Sequence, residues 1–152
     1  MSDPISYSSS TPRHGLPLLF SGQSQKEVTV NEALAVIDFL LSGSVEGVRP
    51  DPAPNPSAGQ AWIVSTPATG AFAGHDGEIA GWTDGGWRFI QPVEGMKTFD
   101  RSAHTLRHYS SGWTLATAPT LPVGGATIDA EARNCIAALI SALETSGIIS
   151  ST

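Results

Sequence analysis

The stretch that decides the fold is 77–90, GEIAGWTDGGWRFI. Two short runs rich in aromatic and branched residues flank Asp84-Gly85, and an Asp-Gly pair between such runs is a strong signal for a β-hairpin. Trp82 before the turn and Trp87 after it are placed to stack across the hairpin. We therefore predict that an antiparallel hairpin lies at the centre of the chain.

Further strands are predicted on both sides of this hairpin. The run 60–64, QAWIV, has the composition of a strand. The runs 106–109 and 113–115 repeat the pattern of an aromatic residue before a turn and a tryptophan after it. We therefore predict a small β domain over 59–117, either an antiparallel meander or a partly closed barrel.

One helix is predicted on each side of the β domain. Within 18–43, Ser24 and Glu27 form a capping-box pattern, and the apolar residues that follow recur at helical spacing. Within 128–152, Asp129 is the predicted N-cap of a second helix. The fold class is therefore predicted to be α+β, with an N-terminal helix, the β domain and a C-terminal helix.

The remaining segments are rich in proline, serine and glycine. Residues 1–17 are predicted to form an extended N-terminal arm, which is either loose or ordered against a neighbouring subunit. The segment 44–58 contains RPDPAPNPSA, whose alternating prolines indicate a stiff linker. A second linker is predicted over 118–127.

An apolar stripe runs along each predicted helix at the spacing of a helix-bundle seam. A chain this small has little surface of its own with which to cover both stripes. We therefore predict that sister chains or a particle surface cover them. The residues of this predicted oligomer interface are Val30, Leu34, Ile37 and Leu41 (the N-terminal stripe) and Ala132, Ile136, Leu139, Ile140 and Leu143 (the C-terminal stripe).

Charge and composition disfavour several classes of partner. The formal net charge is −6 and the basic residues are not clustered, so we do not expect nucleic acid as a partner. No apolar run approaches the ~20 residues that span a bilayer, and no secretory signal follows Met1, so we expect no membrane partner and synthesis in the cytoplasm. The single cysteine, Cys135, cannot form an internal disulfide.

The sequence offers no convincing catalytic or metal-binding residues. His75, Asp76 and Glu78 lie in a glycine-rich loop, where we interpret Asp76 as a turn or cap residue and Glu78 as a polar residue at a strand edge. His104 and His108 would lie ~13 Å apart on a strand, so we interpret them as solvated. We therefore expect no enzyme activity, no catalytic, cofactor-binding or metal-binding residues and no cofactor. An enzyme acting on cell-surface polymer stays an alternative without a nominated pair of carboxylates.

The four tryptophans allow a different interpretation. Exposed aromatic rings stack on sugars, and Trp82 and Trp87 near the hairpin tip are candidate glycan-contacting residues. The alternative is that the tryptophans form the core of a small β domain, which needs large side chains to bury enough surface.

Five separated motifs occur in order along the chain. They are 18–34, LLFSGQSQKEVTVNEAL, 59–64, GQAWIV, 68–82, ATGAFAGHDGEIAGW, 87–89, WRF, and 92–96, PVEGM. Together they resemble an uncharacterised family of phage-derived proteins, and the resemblance covers roughly residues 16–115. Members of that family occur in prophages and gene transfer agents of alphaproteobacteria.

This resemblance implies a structural role in a phage-like particle. Members in gene transfer agents are similar to head-spike and tail-fibre components, and the family carries no established catalytic residues. We therefore expect a virion structural protein, namely a homo-oligomeric head-spike base, pentamer or trimer, that docks on the capsid and carries a fibre for host attachment. It would be assembled in the bacterial cytoplasm and end on the virion surface. The alternatives are a tail-fibre component and a module that binds host capsule polysaccharide.

Overall fold

The computed structural model describes residues 9–22, 24–125 and 129–150. Within these residues it contains two helices and eight strands in two sheets, so the predicted α+β class is confirmed. Neither sheet closes into a barrel. The chain divides into two compact units, Met1–Pro92 and Val93–Thr152.

The first unit is built on a four-stranded sheet. The strands are ordered β2-β3-β4-β5; β2 runs parallel to β3, and the other pairs are antiparallel. The parallel pair departs from the predicted antiparallel meander. The elements of this unit are α1 (Lys26–Leu41), β1 (Ser44–Val45), β2 (Val48–Arg49), β3 (Ala61–Val64), a 3-10 turn (Gly70–Phe72), β4 (Ile79–Thr83) and β5 (Gly86–Ile90).

The predicted central hairpin is confirmed. Strands β4 and β5 pair with Thr83 opposite Gly86 and Trp82 opposite Trp87. The hydroxyl of Thr83 donates to the carbonyl of Gly86 over 2.9 Å and closes the turn. The two indole rings meet edge to face with centroids 4.9 Å apart, as expected for aromatic residues facing each other across a ladder.

Aromatic rings form much of the core of the first unit. Phe72 is fully buried together with Val64 and Ala80, and Trp87 and Phe89 pack against this cluster. The Phe72 and Trp87 rings meet edge to face at 4.9 Å. Such large side chains supply the burial that a small sheet would otherwise lack.

Residues 9–17 are held on α1 by hydrogen bonds. Asp38 of α1 is completely buried and accepts hydrogen bonds from the Thr11 hydroxyl (2.7 Å) and from the amides of Arg13 (2.9 Å) and His14 (2.7 Å). The Arg13 side chain donates to three backbone carbonyls, including that of Phe39. The described part of the predicted arm, residues 9–17, is therefore ordered on its own chain, while residues 1–8 lie outside the described residues.

Two local predictions in the first unit are wrong. Helix α1 begins at Lys26, and its N-cap is Gln25 without a side-chain cap bond, so Ser24 and Glu27 do not form a capping box. Ser24 has a left-handed φ of 59°, and Glu27 instead accepts a hydrogen bond from the Gly22 amide at 3.1 Å. The segment 44–58, which composition marks as a linker, contains β1, β2 and the buried side chain of Val45.

The second unit joins an antiparallel meander to a helix. Strand β6 (Lys97–Asp100) pairs with β7 (Thr105–Tyr109), which pairs with β8 (Trp113–Leu115). The repeat of the aromatic hairpin is confirmed, because Tyr109 lies opposite Trp113 with ring centroids 5.3 Å apart. Strand β6 was not predicted.

The C-terminal helix, α2 (Ala130–Thr145), begins where the sequence predicts. The Asp129 side chain accepts a hydrogen bond from the Ala132 amide at 2.9 Å, which makes it the N-cap. Gly147 follows the helix in a left-handed conformation with φ 68°, where a side chain would be strained. In the predicted linker 118–127, Ala118 is buried and its amide donates to the carbonyl of Ser150, whereas residues 126–128 lie outside the described residues.

Candidate assembly surface

Helix α1 has one face against the sheet and one face open to solvent. Phe39 and Asp38 are buried, and Glu32, on the same side, forms an ion pair with Arg88 of β5 at 2.5 Å. At 3.6 residues per turn the N-terminal stripe falls on the other side of the helix. In that stripe Val30 is 39%, Ile37 45% and Leu41 61% exposed, and Leu34 is half-buried.

The open face of α1 repeats every seven residues. Val30 and Ile37 form one pair at this separation, and Leu34 and Leu41 form the other. A seven-residue repeat keeps apolar side chains aligned along the seam between two packed helices. Leu40 lies beside this seam and is 40% exposed, which widens the apolar face.

Helix α2 is more open than α1. None of the residues Ala130–Thr145, all of which are described, is buried. In the C-terminal stripe Ile136 is 42% and Leu139 60% exposed, Ala132 is exposed, and Leu143 is half-buried.

Ile140, the remaining member of the C-terminal stripe, belongs to a different face of the helix. Together with Ala137, Ser141 and Glu144 it lines a groove whose other wall is residues 118–121. The structure thus brings four of the five stripe residues to one open face and turns the fifth toward the unit's own chain. The oligomer interface stays a prediction.

The candidate glycan-contacting residues lie together on the β4–β5 hairpin, and both are half-buried. Trp87 meets the rings of Trp62, Phe72 and Trp82 with centroid distances of 5.8, 4.9 and 4.9 Å. Trp87 therefore contributes to the packing of the first unit, whereas among the described residues Trp82 meets one aromatic ring, that of Trp87. A role of either residue in glycan binding stays a prediction.

The loop around His75 is held by its own polar side chains. The Nδ1 atom of His75 lies 2.9 Å from Oε2 of Glu78, and the imidazole stacks on the Phe89 ring with centroids 3.5 Å apart. Asp76 lies in the turn that the Glu78 amide closes by donating to the His75 carbonyl (3.1 Å), and its side chain accepts a hydrogen bond from the Ala68 amide at 3.0 Å. Across 9–22, 24–125 and 129–150, no three histidine, cysteine, aspartate or glutamate side chains converge as they would around a metal ion.

Sequence reasoning missed the buried carboxylate of Asp100. It accepts hydrogen bonds from the Ser102 amide (2.9 Å) and hydroxyl (2.7 Å), from the Ala103 amide (3.1 Å) and from Nε of Arg107 (2.6 Å). Burial raises the pKa of this carboxyl, but these hydrogen bonds and the charge of Arg107 outweigh burial and lower the pKa below its ordinary value. The Asp-x-Ser spacing, typical of a side chain that closes a turn, is the signal that could have found it. Its role is to fix the β6–β7 turn.

Neither of the two helices in the described residues is long and apolar enough to cross a membrane.

Comparison with known proteins identifies the family but not the activity. Neither the curated proteins nor the solved structures include a significant match to this chain. A family model, Protein of unknown function (DUF2793), matches residues 30–114, which run from α1 into β8 and take in both hairpins. Because this match covers more than half of the sequence, the chain belongs to the DUF2793 family of proteins of unknown function.

Proposed function

We propose that this protein is a non-enzymatic structural component of a phage-like particle, an oligomeric head-spike base that docks on the capsid and carries a fibre for host attachment. Self-assembly is supported by one observation, namely that aligned apolar side chains are exposed along both helices. The resemblance of motifs such as 68–82 and 92–96 to phage-derived proteins supports the placement in a particle.

Exposed apolar side chains that are aligned along a helix favour assembly, because a partner can remove them from water together. Single exposed apolar residues are common on soluble proteins, whereas contiguous apolar faces mark interaction sites. Removing apolar surface from water stabilises a complex by about 25 cal/mol per Å². Ile37 and Leu41 on α1 and Ile136 and Leu139 on α2 are each at least 42% exposed, so covering them with sister chains yields this stabilisation.

Electrostatics does not oppose this assembly. Charged residues make up only 14% of the chain, and the N-terminal and C-terminal stripes contain none of them. Copies that meet through the stripes therefore bring few like charges together, although each carries a formal charge of −6.

Two measurements test the proposal. Light scattering of the purified full chain is expected to give a mass several times 15.8 kDa, and a stable monomer at all concentrations would contradict self-assembly. Electron microscopy of particles from cells that lack the gene is expected to show capsids without spikes. Particles with normal spikes and fibres would refute the placement in the particle.

Glycan binding is not the function we propose. Its candidate residues, Trp82 and Trp87, face each other across the hairpin, and Trp87 is engaged with two further rings. A titration with capsule polysaccharide that shows saturable binding, lost on Trp82→Ala, would reverse this ranking.

A further inference from the structure

Residues 9–19, here called the docking arm, bind a polar site at the C-terminal end of α1. The buried carboxylate of Asp38 accepts three hydrogen bonds from the docking arm. The Arg13 guanidinium donates to the carbonyl of Phe39 (3.2 Å), and the last four carbonyls of a helix have no partner within the helix. It also donates to two carbonyls outside the helix, those of Ser44 (2.9 Å) and Gly59 (2.6 Å). The site is therefore specific for this segment of the chain.

The docking arm runs antiparallel to α1 and reaches its own helix through a reversal of the chain. Thr11 lies at Asp38. Leu19 lies nearer the start of the helix, where the side chain of Asn31 bonds its amide (2.9 Å) and its carbonyl (3.1 Å). Helix α1 then begins at Lys26 and returns toward Asp38, and positions 26 and 38 of a helix are about 18 Å apart along its axis. The chain must therefore reverse its direction between Leu19 and Lys26.

This reversal holds two adjacent residues in a left-handed conformation. Ser24 has φ 59° and Gln25 has φ 64°, values that residues with a side chain rarely adopt, and then singly. Both residues are exposed, and Phe20 is 57% exposed, so little packing rewards the turn. One hydrogen bond spans it, from the Gly22 amide to Glu27 (3.1 Å). Strained conformations persist where other contacts impose them, and here the imposing contact is the binding of the docking arm to its own α1.

We propose that the docking arm is exchanged between copies of this chain, so that the arm of one copy binds Asp38 and Asn31 of another and links the two. Every hydrogen bond of the docking arm is kept in the exchanged form, because both copies carry the same site. Opening the turn in addition lets Ser24 and Gln25 adopt the negative φ of a helix, and strain in such a turn favours exchange. The inference rests on the proposed self-assembly and names the segment that passes between copies.

The exchanged form is expected to increase with protein concentration. A copy that binds its own docking arm makes an intramolecular contact, which has a high effective concentration and dominates at dilution. Exchange competes with that contact when other copies are abundant, as they are where many copies assemble.

The first test mixes two full-length variants that each lack one half of the contact. Asp38→Asn removes the acceptor for the docking arm, and Arg13→Ala weakens the arm but keeps Asp38. Isotope-labelled Asp38→Asn is expected to lose the protection of its His14 amide against hydrogen exchange. Mixing it at high concentration with an excess of unlabelled Arg13→Ala is expected to restore that protection, because the labelled arm then binds Asp38 of the other copy.

The matched control mixes labelled Asp38→Asn with unlabelled Asp38→Asn. Neither chain then offers an intact site, so the His14 amide is expected to stay unprotected at every concentration. Recovery of protection in this control would show that it does not come from exchange and would overturn the inference.

The second test changes the turn and leaves the docking arm and its site intact. Ser24→Gly together with Gln25→Gly removes the strain, because glycine adopts left-handed conformations readily, and light scattering is expected to shift toward the 15.8 kDa monomer. Ser24→Ala together with Gln25→Ala disfavours the turn and is expected to shift the mass toward the oligomer at the same concentration. Both positions are exposed, so neither pair is expected to disturb the packing of a single copy.

The outcomes separate this inference from the proposed function. If the His14 amide of labelled Asp38→Asn stays unprotected in the mixture with Arg13→Ala while the wild-type chain is oligomeric, exchange is refuted and self-assembly stands. If either of these variants fails to fold, the turn variants decide, and equal masses of the glycine and alanine pairs at every concentration refute exchange. A wild-type chain that is monomeric throughout overturns the inference and the proposed self-assembly together.

Discussion

The phenyl ring of Phe39 in α1 lies directly over Gly81 of β4, so closely that a β-carbon at position 81 would be 2.6 Å from two of its ring atoms. Through this contact α1 packs against the sheet, and Phe39 is only 3% exposed as a result. The orientation of the N-terminal stripe toward solvent follows from it, because burying Phe39 fixes which side of the helix faces outward.

Gly81→Ala is expected to destabilise the first unit by about 1–3 kcal/mol, the usual cost of overpacking a well-filled contact. Chemical denaturation measures the change in the free energy of unfolding. Gly112→Ala is the control, because a β-carbon at Gly112 would have no heavy atom within 4 Å and its φ is not positive. Equal stability of the Gly81→Ala variant and the wild type would mean that α1 is not held by this contact.

Asp38→Asn is expected to loosen residues 11–14 from α1. The carboxylate of Asp38 accepts hydrogen bonds from Thr11, Arg13 and His14, and an amide turns one of its acceptor oxygens into a donor. Leaving a buried donor unsatisfied costs about 1–3 kcal/mol. Hydrogen exchange is expected to show faster exchange of the Arg13 and His14 amides.

Asp84→Asn is the control for this experiment, because Asp84 is exposed in the hairpin turn. Amide exchange of Arg13 and His14 at the wild-type rate in Asp38→Asn would show that the segment 9–17 is held by other contacts.

The contribution of Asp100 to stability is expected to depend on pH. Its pKa in the folded protein lies below its ordinary value of 3.8, so the folded state binds the proton less readily than the unfolded state. The stabilisation is therefore fully present above that ordinary value and is lost as the pH falls through the lowered pKa. Denaturation of wild type and Asp100→Asn at neutral pH should differ by roughly 1–3 kcal/mol, and the difference should shrink in acid. A difference that stays constant from neutral pH into strong acid would contradict this account.

The two tryptophans of the central hairpin are expected to differ in their contribution to stability. Within the part of the chain that the structure describes, Trp87 contacts three aromatic rings and Trp82 contacts one, so Trp87→Ala leaves the larger cavity. We expect Trp87→Ala to cost about 3 kcal/mol or more, as is usual for tryptophan in a core, and Trp82→Ala to cost less. Thermal unfolding of both variants shows which substitution lowers the stability more. A larger loss of stability in Trp82→Ala would contradict the greater contribution of Trp87 to the core.

Local signals in the sequence were sufficient for the elements whose stabilising contacts lie within a few residues. The Asp84-Gly85 turn with Trp82 and Trp87, and the Asp129 cap of α2, form as predicted because their partners are neighbours in the chain. The seven-residue spacing of the stripes likewise follows from the order of residues along each helix.

The failed capping box shows where such local reasoning ends. The Ser24-x-x-Glu27 pattern is present, but Ser24 and Gln25 adopt left-handed φ values of 59° and 64°, and Glu27 accepts a hydrogen bond from Gly22. A capping pattern expresses only a weak local preference. Here the backbone conformation of Ser24 and Gln25 prevents the capping box from forming.

The sequence by itself determined the class of the fold, the central hairpin, the cap of α2 and the positions of the apolar stripes. The tertiary structure alone decided that residues 9–17 are bound to Asp38 and that Ile140 lines a groove with residues 118–121. The physical reason is distance along the chain. Thr11 and Asp38 are 27 residues apart, and whether such groups meet depends on how whole elements pack, not on the residues beside them.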